Sequence, residues 1–123
     1  MRALVIDDSK AIRLILGQIL ESIGFEVVDA ADGAEALEKL KTAGKLDLAL
    51  VDWNMPVMNG FEFVVEVRKN KQYDDLPLMM VTTETEMAQV VKALEAGANE
   101  YVMKPFTKEM IVEKLNLMGI STT

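Results

Sequence analysis

A three-layer α/β sandwich, with one parallel five-stranded sheet between two layers of helices, is the fold class this sequence predicts. Three observations carry that expectation. Short apolar runs alternate with longer segments of helical periodicity from end to end. Capping residues and glycines punctuate each change of period. Several runs also finish on a polar residue: Leu4-Val5-Ile6 on Asp7-Asp8, Leu48-Ala49-Leu50-Val51 on Asp52, Leu78-Met79-Met80-Val81 on Thr82, and Tyr101-Val102-Met103 on Lys104. Strands buried on both faces read as continuous apolar runs, and parallel neighbours need a crossover helix between them.

The elements follow in order. The first strand leads from Met1-Arg2 to Asp7. Ile12, Ile15, Leu16, Ile19, Leu20 and Ile23 then recur at helical spacing, and Gly24 stops that helix. Phe25 to Ala30 is short and β-branched, a second strand. Asp32 with Glu35 is a capping-box arrangement for the helix carrying Leu37 and Leu40, closed by Gly44. Leu46 to Val51 is the third strand. Asn54-Met55-Pro56-Val57-Met58-Asn59-Gly60 is a loop. Asn59 caps a third helix in which Phe61, Val64 and Val65 are expected to face inward. Pro77 introduces the fourth strand, and Thr83 to Glu86 opens a fourth helix with Met87, Val90, Val91 and Leu94 on one face, ended by Gly97. Asn99 to Met103 is the fifth strand, and Thr107 caps the last helix, with Ile111, Leu115 and Met118. Right-handed crossovers and one switch point favour the flavodoxin-like strand order 2-1-3-4-5.

Composition narrows the function. The 123 residues suit a single domain, 1–123, with no attached output domain expected. A net charge of -7 without any basic run argues against nucleic acid. No apolar run approaches the roughly 20 residues a bilayer demands, and no leader precedes the first strand, so a cytoplasmic monomer is expected. There is no Cys, which removes thiol chemistry. There is no His either, so any imidazole nucleophile or phosphoryl carrier must come from another molecule. Met87, Met103, Met110 and Met118 read mostly as core.

If the runs are neighbouring parallel strands, their polar ends meet at the carboxyl edge of the sheet, where open α/β sheets bind ligands. Asp7, Asp8 and Asp52 offer the hard oxygen donors that a divalent cation takes. An isolated Asp-Asp pair more often merely starts a helix, but Asp52 at an equivalent strand end shifts the balance. Asp52 itself suits either a metal ligand or a nucleophile that accepts a phosphoryl group as an acyl phosphate. Lys104 at a buried strand end needs a partner, which those carboxylates supply; Pro105 after it permits a cis bond. Thr82 can donate to a phosphoryl oxygen, although a threonine there also serves plain strand propensity. Tyr101 points to the opposite side of the sheet from Val102, where an aromatic ordinarily packs. No Gly-x-Gly-x-x-Gly or Walker-type loop is present to cradle a nucleotide.

Taken together, Asp7-Asp8, Asp52, Thr82 and Lys104-Pro105 resemble the receiver domain of two-component response regulators. Asp52-Trp53-Asn54-Met55-Pro56 with Asn59-Gly60 is similar to that family's phosphorylation loop, and Gly97-Ala98 with Tyr101 to Phe106 is similar to its fifth-strand signature. Asp52-Trp53-Asn54 also resembles the free-standing chemotaxis regulators of the CheY type. The resemblance implies a phosphoprotein in which Asp52 is the phosphoacceptor. It implies Mg²⁺ bound by Asp8, Asp52 and the main-chain carbonyl of Asn54, with Asp7 helping directly or through water. Lys104 would pair with the phosphoryl oxygens, Thr82 would be the switch hydroxyl and Tyr101 the aromatic that moves with it. The chain would catalyse its own phosphorylation, from a partner kinase's phosphohistidine or from small phosphodonors, and its own dephosphorylation. The downstream target protein, a flagellar motor switch in chemotaxis, would meet a face built from the fourth helix, fifth strand and fifth helix, with Met87, Val90, Tyr101 and Lys114.

Departures are Thr83, larger than the Ala or Ser common after the switch threonine, and Asn59 in place of an Asp. Polar Asn54 and Glu84 beside the acceptor imply a phosphoryl group lost within seconds to minutes. The competing readings are a phosphorelay shuttle or other stand-alone adaptor, a flavodoxin-like flavin-binding module, and a small-molecule phosphatase. The flavin module lacks its phosphate loop, and the phosphatase lacks a general acid, since Asn54 cannot serve.

Overall fold

Strands whose residues are apolar on both sides can only be satisfied between two layers of helices, and the central strands here are of that kind. In the computed structural model, which describes residues 1–83 and 87–120, β1 (Arg2–Ile6), β2 (Glu26–Ala30), β3 (Leu48–Asp52), β4 (Leu78–Thr82) and β5 (Glu100–Met103) form one sheet in the order β2-β1-β3-β4-β5. Every pairing is parallel. All residues of β3 and β4 are buried. Between the strands run α1 (Lys10–Ser22), α2 (Gly33–Thr42), α3 (Gly60–Lys69), α4 (Met87–Ala96) and α5 (Lys108–Leu117), with a short 3-10 turn at Lys71–Tyr73. This is the flavodoxin-like (βα)5 sandwich expected.

Alternation along the strands sorts the core into two layers. Leu4, Ile6, Val51 and Met80 pack with Phe63, Val64, Val67 and Ala93 beneath α2, α3 and α4. Val5, Leu50, Met79, Val81 and Val102 pack with Leu16, Leu20, Ile111 and Leu115 beneath α1 and α5. Each layer buries side chains worth about 1.5–3 kcal/mol apiece. Register then fixes the functional edge: Asp52 lies opposite Val81, and Thr82 opposite Met103, so β3, β4 and β5 end at one level.

Caps at Asp32, Asn59 and Thr107 match the sequence reading, and Ser9 adds one for α1. Ser9, Asp32, Asn59 and Thr107 each accept from a backbone N–H in the first turn, and Asn59 forms a full capping box with Glu62. Strand limits shift slightly: β2 begins at Glu26, β3 spans Leu48–Asp52 and β5 begins at Glu100. The opening of the fourth helix at residues 84–86 lies outside the described residues, and so does Glu84.

Four helix-face expectations are corrected. In α3 it is Phe63, fully buried, that reaches the core, while Phe61 stays part-exposed against Trp53 with ring centroids 5.8 Å apart. Among the described side chains of α4, Val90 and Ala93 are buried, whereas Val91 and Leu94 are exposed. Ile15 of α1 is exposed as well. The periodicity was legible, but an apolar residue at the margin of a helical stripe can fall on either side of it. Among the described residues, the fully buried methionines are Met79 and Met80 of β4, while Met103, Met110 and Met118 are only half-buried because they lie at layer margins.

The loop after β3 contains one strained residue. Val57 adopts φ 67° with its side chain in solvent, and the Met58 N–H donates to the Pro56 carbonyl at 2.7 Å across it. A β-branched residue in the left-handed region is an outlier, costing on the order of 1–2 kcal/mol. Val57→Asn is therefore expected to stabilise the fold by about 1 kcal/mol, read as a higher urea midpoint at unchanged slope. An unchanged or lower midpoint would show that the turn carries no such cost.

Candidate functional site

The site is assembled by strand ends, each fixed by its own local chemistry. Asp7 follows β1, and its N–H donates to the Ala30 carbonyl of β2 at 3.1 Å. Its Oδ1 accepts from the Ser9 N–H at 2.9 Å, and Ser9 in turn caps α1, so the cap and the carboxylate hold each other in place. Arg13 of α1 donates to the Asp7 carbonyl at 2.7 Å while pairing with Asp29 at 2.9 Å. Asp52 closes β3. The Gly60 N–H donates to the Trp53 carbonyl at 2.9 Å, and a Cβ at Gly60 would collide with the Asp52 carbonyl oxygen, so the start of α3 sits tight beneath the acceptor loop.

Side chains from opposite ends of the chain then converge. Lys104 Nζ lies 3.1 Å from Asp52 Oδ1 and 3.4 Å from Asp7 Oδ2. Asp7 and Asp52 are almost wholly buried, Asp8 is exposed, and carboxylate oxygens of all three lie within 4.8 Å of one another. Thr82 is buried at the end of β4, where its carbonyl accepts from the Lys104 N–H at 2.6 Å and its hydroxyl reaches the Thr83 carbonyl at 3.3 Å. The Lys104–Pro105 peptide is cis. An apolar recess of about 390 Å³, lined by Ile12, Ile15, Lys104, Pro105 and Phe106, opens beside the lysine.

Electrostatics set the character of the site. Burial, then the charge of Asp7, pushes the Asp52 carboxyl up to about 6, against the pull of Lys104. Burial works to lower the Lys104 ammonium, but the hydrogen bond and charge of Asp52, with Asp7, outweigh it and raise the group above its ordinary range. Among the described residues, Lys104 against Asp52 and Asp7, with Asp8 beside them, leaves an excess of negative charge at a rim open to solvent through Asp8. Hard oxygen donors at this spacing fit a divalent metal ion.

Asp7, Asp8, Asp52, Thr82 and Lys104, anticipated from sequence, therefore lie together at one edge, and the other anticipated residues lie around it as follows. Asn54 is exposed in the loop just past β3, two residues beyond Asp52. On the anticipated partner face, Val90 is 1 % exposed and offers no surface; the Met87 side chain lies outside the described residues. Tyr101 and Lys114 do meet, with the Lys114 ammonium 4.7 Å from the ring centroid. Sequence reasoning missed Arg13 and Ser9. Ser9 carried the usual N-cap signal, whereas Arg13 acts through a backbone carbonyl and left no motif.

A parallel sheet whose carboxyl edge presents three carboxylates, a hydroxyl and a lysine has the arrangement expected of a receiver domain. The chain belongs to the response regulator receiver domain family, whose model matches residues 3–116. It is 42% identical over 119 residues to "Chemotaxis protein CheY1" of Helicobacter pylori, covering 96% of each chain. It is 45% identical over 116 residues to "Chemotaxis protein CheY homolog" of Campylobacter jejuni, covering 94% of this chain and 89% of that one. Among solved structures, chemotaxis response regulator CheY4 of Vibrio cholerae superposes with a TM-score of 0.86 at 39% identity, over 98% of both chains. The chain is thus a CheY-like response regulator of the chemotaxis type.

Proposed function

We propose that Asp52 accepts a phosphoryl group from the phosphohistidine of a partner kinase, and that the resulting charge is read by Thr82 and Tyr101 to change a protein-binding face. The observation that carries this reading is the contact of Lys104 with both Asp52 and Asp7 at the carboxyl edge. In the transfer, an Asp52 oxygen attacks phosphorus, the P–N bond of the donor breaks, and the imidazole leaves with the electron pair. The product is an acyl phosphate; water later returns the carboxylate and inorganic phosphate. Such transfers need positioning and charge neutralisation more than covalent help. Lys104 supplies both to the oxygens it faces, and the absence of any histidine in the chain makes an external donor necessary.

Asp8, Asp52 and the Asn54 carbonyl, with Asp7 directly or through water, are the residues that would hold Mg²⁺. When bound, the ion supplies charge neutralisation for the transferring group. Thr82, buried one strand over, would donate to a phosphoryl oxygen. The face that responds is built from α4, β5 and α5, with Tyr101 and Lys114, and with the exposed Val91 and Leu94 in the place expected of Val90. A flagellar motor component as target, and a cytoplasmic setting, belong to the same proposal. Their support is the likeness to chemotaxis proteins and, among the described residues, the absence of any helix long and apolar enough to cross a membrane.

The test is incubation with acetyl phosphate in the presence and absence of Mg²⁺, followed by borohydride trapping and mass spectrometry. One modification, Mg²⁺-dependent and mapped to Asp52, is the expected result. Modification at another carboxylate, or none with the metal present, would refute the assignment.

A further inference from the structure

Lys114 of α5 is engaged twice. Its ammonium lies 4.7 Å from the centre of the Tyr101 ring and 3.4 Å from Glu100 Oε1. That same Glu100 oxygen accepts from the Tyr101 N–H at 3.0 Å, so the carboxylate is fixed by the backbone of the residue whose ring the lysine covers. The pair is sheltered, with side chains 26% and 21% exposed, unlike the ordinary surface pairs of this chain such as Lys41 with Glu38. The arrangement spans two layers. Tyr101 packs with the cluster beneath α3 and α4, whereas α5 belongs to the cluster on the opposite face, so Lys114 reaches round the open edge of β5 to meet the ring.

We propose that Lys114, steadied by Glu100, is a positioning residue that clasps the Tyr101 ring and sets the resting balance of the switch. The inference rests on the reading of Tyr101 as the aromatic that moves with Thr82. The clasp favours the ring position seen here, and a ring that leaves it gives up the cation–π contact. A contact made in only one of two states shifts their ratio by its own strength. For a sheltered cation on an aromatic face that is roughly a two- to fivefold bias against switching. An edge-strand ion pair with no such role would leave the switch untouched, which separates the two readings.

The experiment titrates the full chain, in Mg²⁺, with beryllofluoride as the phosphoryl stand-in. Tyrosine-ring NMR signals follow Tyr101, with Tyr73 as an internal reference, and Trp53 fluorescence reports occupancy. No partner protein is present, so a contact made by Lys114 to a target does not enter the reading. Lys114→Met is expected to lower the half-saturating concentration by about two- to fivefold. Lys114→Arg, which keeps the cation, should restore the parent value. In a Tyr101→Leu background, Lys114→Met should have no effect, because no ring is left to clasp. If the parent Tyr101 signal moves yet Lys114→Met saturates like the parent, the clasp is overturned alone. The same gain from Lys114→Met in the Tyr101→Leu background also overturns it, since the lysine would then act elsewhere. A parent Tyr101 signal that does not move on saturation overturns the switch reading and the clasp together.

Discussion

Asp52→Asn is expected to abolish acyl-phosphate formation and, in metal-free buffer at neutral pH, to raise the melting temperature. The first effect follows because an amide is no nucleophile towards phosphorus at this site. The second follows from the charge balance. Burial and then Asp7 hold the Asp52 carboxyl at about 6, against 3.8 for the free group. The folded protein thus binds a proton here that the unfolded chain releases, throughout the interval between those two values. Protonation of Asp52 favours folding as pH falls through about 6, and the carboxylate form opposes folding above it. The asparagine variant carries no such charge and still offers an oxygen to Lys104. Its advantage over the parent should be full at neutral pH and fade as the pH falls through about 6 towards 4. Thermal melts of both proteins across that interval, with chelator present, check the claim. A variant that melts below its parent at neutral pH would mean that the Lys104 contact outweighs burial and repulsion. Added Mg²⁺ should narrow the gap, since a bound cation relieves the same repulsion in the parent only.

Much of this site was legible before any coordinates, for a physical reason. Strand ends in a parallel sheet are set by the apolar runs themselves, so the residue after each run must fall at the carboxyl edge. Asp7, Asp52, Thr82 and Lys104 were readable on that rule alone. Roles assigned to Tyr101 and Asn54 came from the family resemblance instead, because neither stands at the end of a run. What stayed hidden acts sideways or through backbone. Arg13 binds the carbonyl of Asp7, and a carbonyl leaves no trace in a sequence. Glu100 and Lys114 are separated by more than a helical turn of chain and meet only because α5 packs beside the sheet edge. Val90 and Val91 are neighbours in sequence, yet one is buried and the other exposed, and a rotation of α4 by part of a turn would have exchanged them. The rotation of a helix about its own axis is fixed by what it packs on, here the small Ala93 beside Val90.

Arg68→Ala is expected to cost the fold more than any other single surface-proximal change, about 2–4 kcal/mol. The side chain leaves the last turn of α3 and gathers the backbone at the opposite end of the sheet from the reaction edge. Its Nε donates to the Gly97 carbonyl at 3.0 Å. One terminal nitrogen meets the Tyr73 carbonyl at 2.6 Å, and the other meets the Leu76 carbonyl at 2.8 Å and Asn99 Oδ1 at 3.0 Å. Asn99 Oδ1 also accepts from the Leu78 N–H at 2.8 Å, which ties the start of β4 to the approach to β5. One guanidinium thereby joins α3, the 3-10 turn, β4, the end of α4 and the loop before β5. Gly97 fits this arrangement twice over, since φ 125° suits glycine and a Cβ there would strike the Arg68 stem. Partial burial lowers the guanidinium below its ordinary range, and Asp74 and Asp75 only partly offset that, as expected of a cation held by neutral carbonyls. Truncation takes the guanidinium donor from the Gly97 and Leu76 carbonyls, while Asn99 Oδ1 and the Tyr73 carbonyl keep the Leu78 and Leu76 N–H groups. Arg68→Lys keeps a charge but not the planar fork, and should recover only part of the loss. Urea denaturation of the three proteins gives the ranking directly. A loss below about 0.5 kcal/mol in the alanine variant would show that water replaces the guanidinium without penalty. Phosphorylation at Asp52 should survive in whatever fraction stays folded, because Leu78 and Thr82 mark opposite ends of β4 and the clamp grips only the first.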